Sequence, residues 1–178
     1  MQIQILPERP QDHQTIEALL DLSFGPERHG RTTYRLREGV APLAELCLVA
    51  LDPDAALLAS LRFWPIRAAS APAILLGPLA VAPRLQGRGI GRSLLRHALA
   101  EARRFDHGVC IVVGDPAYYE PFGFRSAVAA GLVMPGPVEP ARFQVLELRP
   151  GALEGRSGAV ERVAAAPQRA RAGGEGAA

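Results

Sequence analysis

The stretch VAPRLQGRGIGRSLL, Val81–Leu95, places Gly87, Gly89 and Gly91 within five positions. Arg84, Arg88, Arg92 and Gln86 are threaded through and around them, and an apolar helical pattern follows at once. Glycines at this spacing let a backbone come close to a ligand, and the free N–H groups of a helix start beside arginines favour an anion. The segment predicts an anion cradle that opens a helix. Ile90, Leu94, Leu95, Ala98, Leu99 and Ala102 then fall on one helical stripe that ends near Arg104.

Upstream of the cradle, AILLGPLAVAP (Ala73–Pro83) is apolar throughout, as a strand covered on both faces would be. Gly77-Pro78 in its middle predicts a bulge or a break, because a proline cannot donate to the ladder. Downstream, GVCIVV (Gly108–Val113) reads as a second buried strand. Strand, helix and strand make a βαβ unit, so the two strands should run parallel.

Further out, Ile3–Leu6 reads as a short first strand. A helix is expected from about Asp12 to Phe24, with Ile16, Leu19, Leu20 and Phe24 on one face and Gly25 to end it. The arginine-rich PERHGRTTYRLREGV follows, and it reads as a solvated amphipathic helix. AELCLVALD and ALLASLRFWPIRA flank Asp52-Pro53-Asp54 and signal an antiparallel hairpin. ARFQVLEL (Ala141–Leu148) reads as a late strand. The composition then shifts to Gly, Ala, Arg and Pro, so residues 1–153 are expected to form the domain. Residues 154–178 are expected to be a tail, disordered at its end.

The 178 residues suit one domain, and 48% hydrophobic with 21% charged is a globular profile. A net charge of +2, with no basic stripe among aromatics, argues against a nucleic-acid partner. All 20 basic side chains are arginine, which removes a Walker-type loop and lysine Schiff-base chemistry. Cys47 and Cys110 lie in apolar runs and read as reduced core residues. The histidines form no metal spacing with any acid or cysteine pair, so no metal is expected. With no signal segment and no membrane-length run, a cytoplasmic location is expected.

QGRGIG admits three readings. It can be a turn that merely joins strand to helix. It can be a dinucleotide loop, with Asp115 after the next strand in the place of a ribose-binding acid, although the glycines are spaced G-x-G-x-G rather than G-x-G-x-x-G. Or its N–H groups can hold a pyrophosphate, with Arg88 and Arg92 nearby, while unpaired backbone at Leu79, Ala80 and Val81 pairs with an extended amide chain. Pyrophosphate plus an extended diamide chain describes coenzyme A.

LGPLAVAPRLQGRGIGRSLL resembles the signature segment of the GNAT N-acetyltransferase superfamily, whose pattern Q/R-x-x-G-x-G/A is matched by Gln86, Gly89 and Gly91. A second family feature, a tyrosine four residues before a Gly-Phe pair, is matched by Tyr119 before Gly123-Phe124. VGDPAYYEPFGF is similar to a group of small bacterial members. The resemblance implies a mixed α/β fold of the GNAT type, with helices flanking a central mixed sheet. It also implies acetyl-CoA or another acyl-CoA as donor, held by Leu79, Ala80, Val81, Gln86, Gly87, Arg88, Gly89, Ile90, Gly91 and Arg92. The implied reaction is acyl transfer to an amine of a small molecule or peptide, with Tyr119 as general acid and a backbone N–H near Leu79 polarising the thioester.

One departure stands out: the central strand contains no acid where many family members carry a glutamate. Glu45, Asp115 or a water chain then remain as base. The arginine-rich segment lies where the family forms its acceptor wall, so His29, Arg31 and Arg35 are candidate acceptor contacts, suited to a carboxylate or phosphate. A rival reading keeps the acyl-CoA site without turnover, as a sensor or partner protein. A monomer or homodimer is expected.

Overall fold

Leu48–Leu51 (β2) sets out the architecture by simple alternation: Leu48 and Ala50 pack on one face of a sheet, Val49 and Leu51 on the other. In this computed structural model residues 3–163 are described, and the sheet runs through the middle of them. Gln4–Pro7 (β1) pairs antiparallel with β2, and β2 with Leu57–Ala68 (β3). His13–Phe24 (α1) buries Ile16, Leu19 and Leu20 against Val49 and Leu51. Gly25, with φ of +76°, ends it as the sequence predicts.

Ala71–Val81 (β4) returns beside β3 through Ala69 and Ser70, both with positive φ, as a two-residue hairpin turn requires. Leu61 pairs with Leu79 and Phe63 with Leu76, so Gly77 and Pro78 together oppose Arg62 alone. This is the bulge that Gly77-Pro78 predicted, and Gly77 has the φ of +114° that suits glycine.

Ile90–Arg104 (α3) buries Ile90, Leu94, Leu95, Ala98, Leu99 and Ala102 on the β2 face opposite α1. Val109–Val113 (β5) runs parallel to β4, but the two strands pair only at Ile74–Cys110 and Leu75–Ile111. Beyond that register they part. Pro116–Tyr119 (α4), Arg125–Ser126 (β6), Leu132–Val133 (β7) and Phe143–Glu147 (β8) follow, with β8 antiparallel to β5 and β6 beyond it. Cys47 and Cys110 are free and buried, as expected; burial pushes the Cys47 thiol up to about 12 and the Cys110 thiol higher still.

Two expectations are corrected. Residues 26–37 are not a solvated helix. Pro26–Gly30 is a 3-10 turn, Thr32–Arg35 (α2) is a single helical turn, and Arg28 and Arg37 are buried. Arg28 is drawn inward by Glu17 at 2.7 Å, Asp21 at 2.9 Å and the Tyr34 hydroxyl at 2.8 Å. Nor does the domain stop at Leu153. Gly158–Arg162 (β9) pairs with β3 at Ile66–Ala68 and with β7, and buries Val160 completely. The expected disorder at the end of the tail concerns residues 164–178, which lie outside the described residues.

Candidate active site

Where β4 and β5 part, a cleft of about 610 Å³ opens between them. The edge of β4 that faces β5 is unpaired beyond Leu75, while its other edge stays in register with β3 at Leu79, Ala80 and Val81. These three residues line the cleft, and the Gln86 side chain closes the strand's end by donating from Nε2 to the Val81 carbonyl at 3.3 Å.

The glycine loop lies at one end of the cleft. Gly87 and Gly89 have φ of +77° and +83°, and a Cβ at either would project into open space. Gly89 is the N-cap of α3, so the first N–H groups of a fifteen-residue helix open onto the cleft. Gly87, Gly89, Ile90, Gly91 and Arg92 all line it. Arg88 does not: it is exposed, and its backbone N–H donates to Leu85 at 3.4 Å. Gly91 has a different constraint, since a Cβ there would lie 2.7 Å from the Tyr118 hydroxyl. Tyr118 therefore stands half-buried in the cleft with Arg92 over its ring at 5.7 Å.

Tyr119 lines the same cleft at the end of α4. Its ring packs edge-on against Tyr118 at 5.0 Å and Phe124 at 5.5 Å. Burial pushes its phenol well above the usual tyrosine range. A Cβ at Gly114 would overlap the Tyr119 ring, so this glycine makes room for it. Asp115 begins α4 by accepting from the Ala117 N–H at 3.1 Å, and it is the one carboxylate lining the cleft among the described residues. Glu45 lies outside the lining, exposed in a 3-10 turn.

The proposed acceptor contacts separate. Arg31 lines the cleft and stacks over Phe24 at 5.8 Å. His29 and Arg35 are exposed and line a neighbouring groove with Arg28, Arg62 and Trp64. Tyr34, Arg37 and Arg142 line the cleft and were not singled out from sequence. Among the described residues no group of three or more His, Cys, Asp or Glu could hold a metal ion. No described helix is long and apolar enough to cross a membrane.

Residues 44–126 match the family profile described as an acetyltransferase (GNAT) domain. The Escherichia coli (strain K12) protein named "Uncharacterized N-acetyltransferase YhbS" is 33% identical over 150 residues, covering 83% of this chain and 89% of that protein. The crystal structure of the GNAT family N-acetyltransferase YhbS from Escherichia coli in complex with CoA matches with a TM-score of 0.78 at 32% identity, over 90% of this chain and 89% of that one. A GNAT family acetyltransferase from Brucella melitensis in complex with acetyl-CoA matches at 0.68 and 30% identity, over 92% of this chain and 97% of that one.

Proposed function

The chain belongs to the GNAT N-acetyltransferase family, and from that premise we propose that it moves the acetyl group of acetyl-CoA onto an amine of a small molecule or peptide by direct attack, with Tyr119 as general acid. One observation carries the reading: the open edge of β4, the glycine-rich start of α3 and Tyr119 line a single cleft.

The donor's pyrophosphate sits against the backbone of Gly87 and Gly89 and the helix start at Gly91, with Arg92 beside it; at Gly87 and Gly89 a Cβ would meet no atom within 4 Å, so the approach there is open. Its amide arm extends along Leu79–Val81 as an added strand would. The Leu79 N–H polarises the thioester carbonyl and holds the oxyanion that forms when the amine nitrogen attacks. As the carbon–sulfur bond breaks, the sulfur takes a proton from the Tyr119 phenol. Asp115 is the candidate to accept the amine's proton. A thiol of ordinary pKa near 8.5 leaves fairly well unaided, so the acid assists departure rather than enabling it.

The absence of an acid on β4 favours a second reading, an acyl-CoA-binding protein without turnover. Thermal unfolding and a thiol-release assay separate the two. CoA at a hundred times its dissociation constant stabilises by about 2.7 kcal/mol, whereas NAD and ATP should give no shift. A panel of amines should then stimulate thiol release from acetyl-CoA. A CoA shift with no stimulation by any amine would support the binding protein, and an equal shift with NAD would overturn the donor.

A further inference from the structure

Arg37 is buried to 8% exposure, directly after α2. Its guanidinium lies over the Tyr34 ring at 4.6 Å and beside Trp64 at 5.8 Å, and its Nε and Nη1 have no hydrogen-bond partner among the described residues. The acids nearby are already engaged: Glu17 and Asp21 hold Arg28, while Glu8 and Glu17 hold Arg62. A buried cation without a counter-charge is unfavourable, and an orphaned donor adds to that cost. Burial, reinforced by the charges of Arg28 and Arg62 and partly offset by Tyr34, brings the guanidinium down to about 10, so it remains cationic at neutral pH.

The third nitrogen shows what the group faces. A Cβ placed on Gly77 would lie 3.5 Å from Arg37 Nη2 and 3.8 Å from the Leu79 nitrogen. Arg37 therefore looks onto the β4 bulge, within a few bonds' reach of the place where the thioester carbonyl is held. Nε and Nη1 are sealed from solvent and Nη2 is not, so a ligand meets Nη2 first and stands next to an orphaned donor on either bidentate edge. The rest of the cleft has the same sign, with Arg31, Arg92 and Arg142 on its wall against Asp115 alone.

We infer that the acceptor is an amino acid or a close analogue, whose carboxylate docks on Arg37 while its amine, one or two carbons away, attacks the thioester beside Leu79. This rests on the acyl-transfer reading above and adds the substrate class to it. Arg37 Nη2 and the Leu79 nitrogen both lie within 4 Å of one point, the place of a Gly77 Cβ, which rules against an acid far from the reacting nitrogen. In the reaction the ammonium first gives up one proton. The nitrogen then bonds to the acetyl carbon, the carbon–sulfur pair leaves on sulfur, and the sulfur takes the Tyr119 proton, which the second amine proton restores by way of solvent. The products are an N-acetyl amino acid, free CoA and one proton.

The test compares matched acceptors at fixed acetyl-CoA: several α-amino acids, their decarboxylated amines and their amides. The carboxylates should exceed both neutral forms by about 10²-fold in kcat/KM, the usual size of a buried charge-pair contact. Arg37→Met should bring that ratio towards one. Should this variant not fold, product inhibition of the unaltered enzyme reads the same contact: an N-acetyl amino acid should compete with the acceptor and its methyl ester should not. Equal turnover of acids and neutral amines, or equal inhibition by the ester, overturns the carboxylate while leaving acyl transfer in place. If no member of the panel stimulates thiol release, the transfer reading fails separately. The carboxylate contact is then judged by binding alone, as the thermal shift that N-acetyl amino acids, but not their esters, should add in the presence of CoA.

Discussion

Burial acts on Tyr119 in two ways, holding its ring against Tyr118 and Phe124 and pushing its phenol upward. Tyr118 and Cys110 push in the same direction, and Arg142 opposes them. A raised pKa keeps the proton on oxygen, so a group that must donate stays loaded across the neutral and mildly alkaline range. The rate should therefore rise with pH as the acceptor amine deprotonates, with no falling limb from Tyr119 below about pH 10. Tyr119→Phe keeps the ring and should lower kcat by about 10²-fold, with little change in CoA affinity. Unchanged kcat would remove the phenol from the mechanism, and a fall in CoA affinity alone would make it a binding group. That Tyr119 lines the cleft was legible through the family resemblance, because its spacing to Gly123-Phe124 is local. Arg37 was not. In TTYRLR, Arg35 and Arg37 are chemically identical and two residues apart, and only the packing of Tyr34, Trp64 and the Gly77 bulge decides which is buried.

At the scale of elements, the cradle depends on backbone shape more than on side chains. Gly89 caps α3 with φ of +83°, and a Cβ there would meet no atom within 4 Å. Gly89→Ala should therefore fold, at a cost of about 1–2 kcal/mol for an L-residue in the left-handed region. The added methyl would project into the open space beside the helix start, where the pyrophosphate approaches, so the CoA thermal shift should be lost. A full CoA shift in this variant would mean that the pyrophosphate lies elsewhere. The bulge and the loop could both be read from sequence, since glycine and proline punctuate a strand in ways few other residues can. Residues 26–37 could not. Arginines spaced through a polar segment suggest solvent, and the burial of Arg28 depends on Glu17 and Asp21, which come from α1.

The whole molecule joins these pieces through one sheet with helices on both faces, an arrangement that the resemblance to the GNAT family implied and of which the βαβ unit alone gave two parallel strands. Its C-terminal strand was hidden for a physical reason. In GAVER only Val160 is buried, so β9 offers one apolar contact and no periodicity. What holds it is the ladder to Ile66–Ala68 of β3, together with β7. Val160 packs within the cluster that contains Ile66, Leu132 and Leu153, and β9 does not line the active-site cleft. Val160→Ala removes two buried methyl groups and leaves a small cavity, a loss of about 2 kcal/mol. In a domain of this size that lowers Tm by roughly 4–8 °C. The rise in Tm on adding CoA should stay as large as in the parent, because the donor cleft is built from other elements. A change in Tm under about 1 °C, well short of what the loss of two buried methyl groups requires, would show that β9 is not docked on β3 in solution. A smaller CoA shift would show that the two ends of the sheet are coupled.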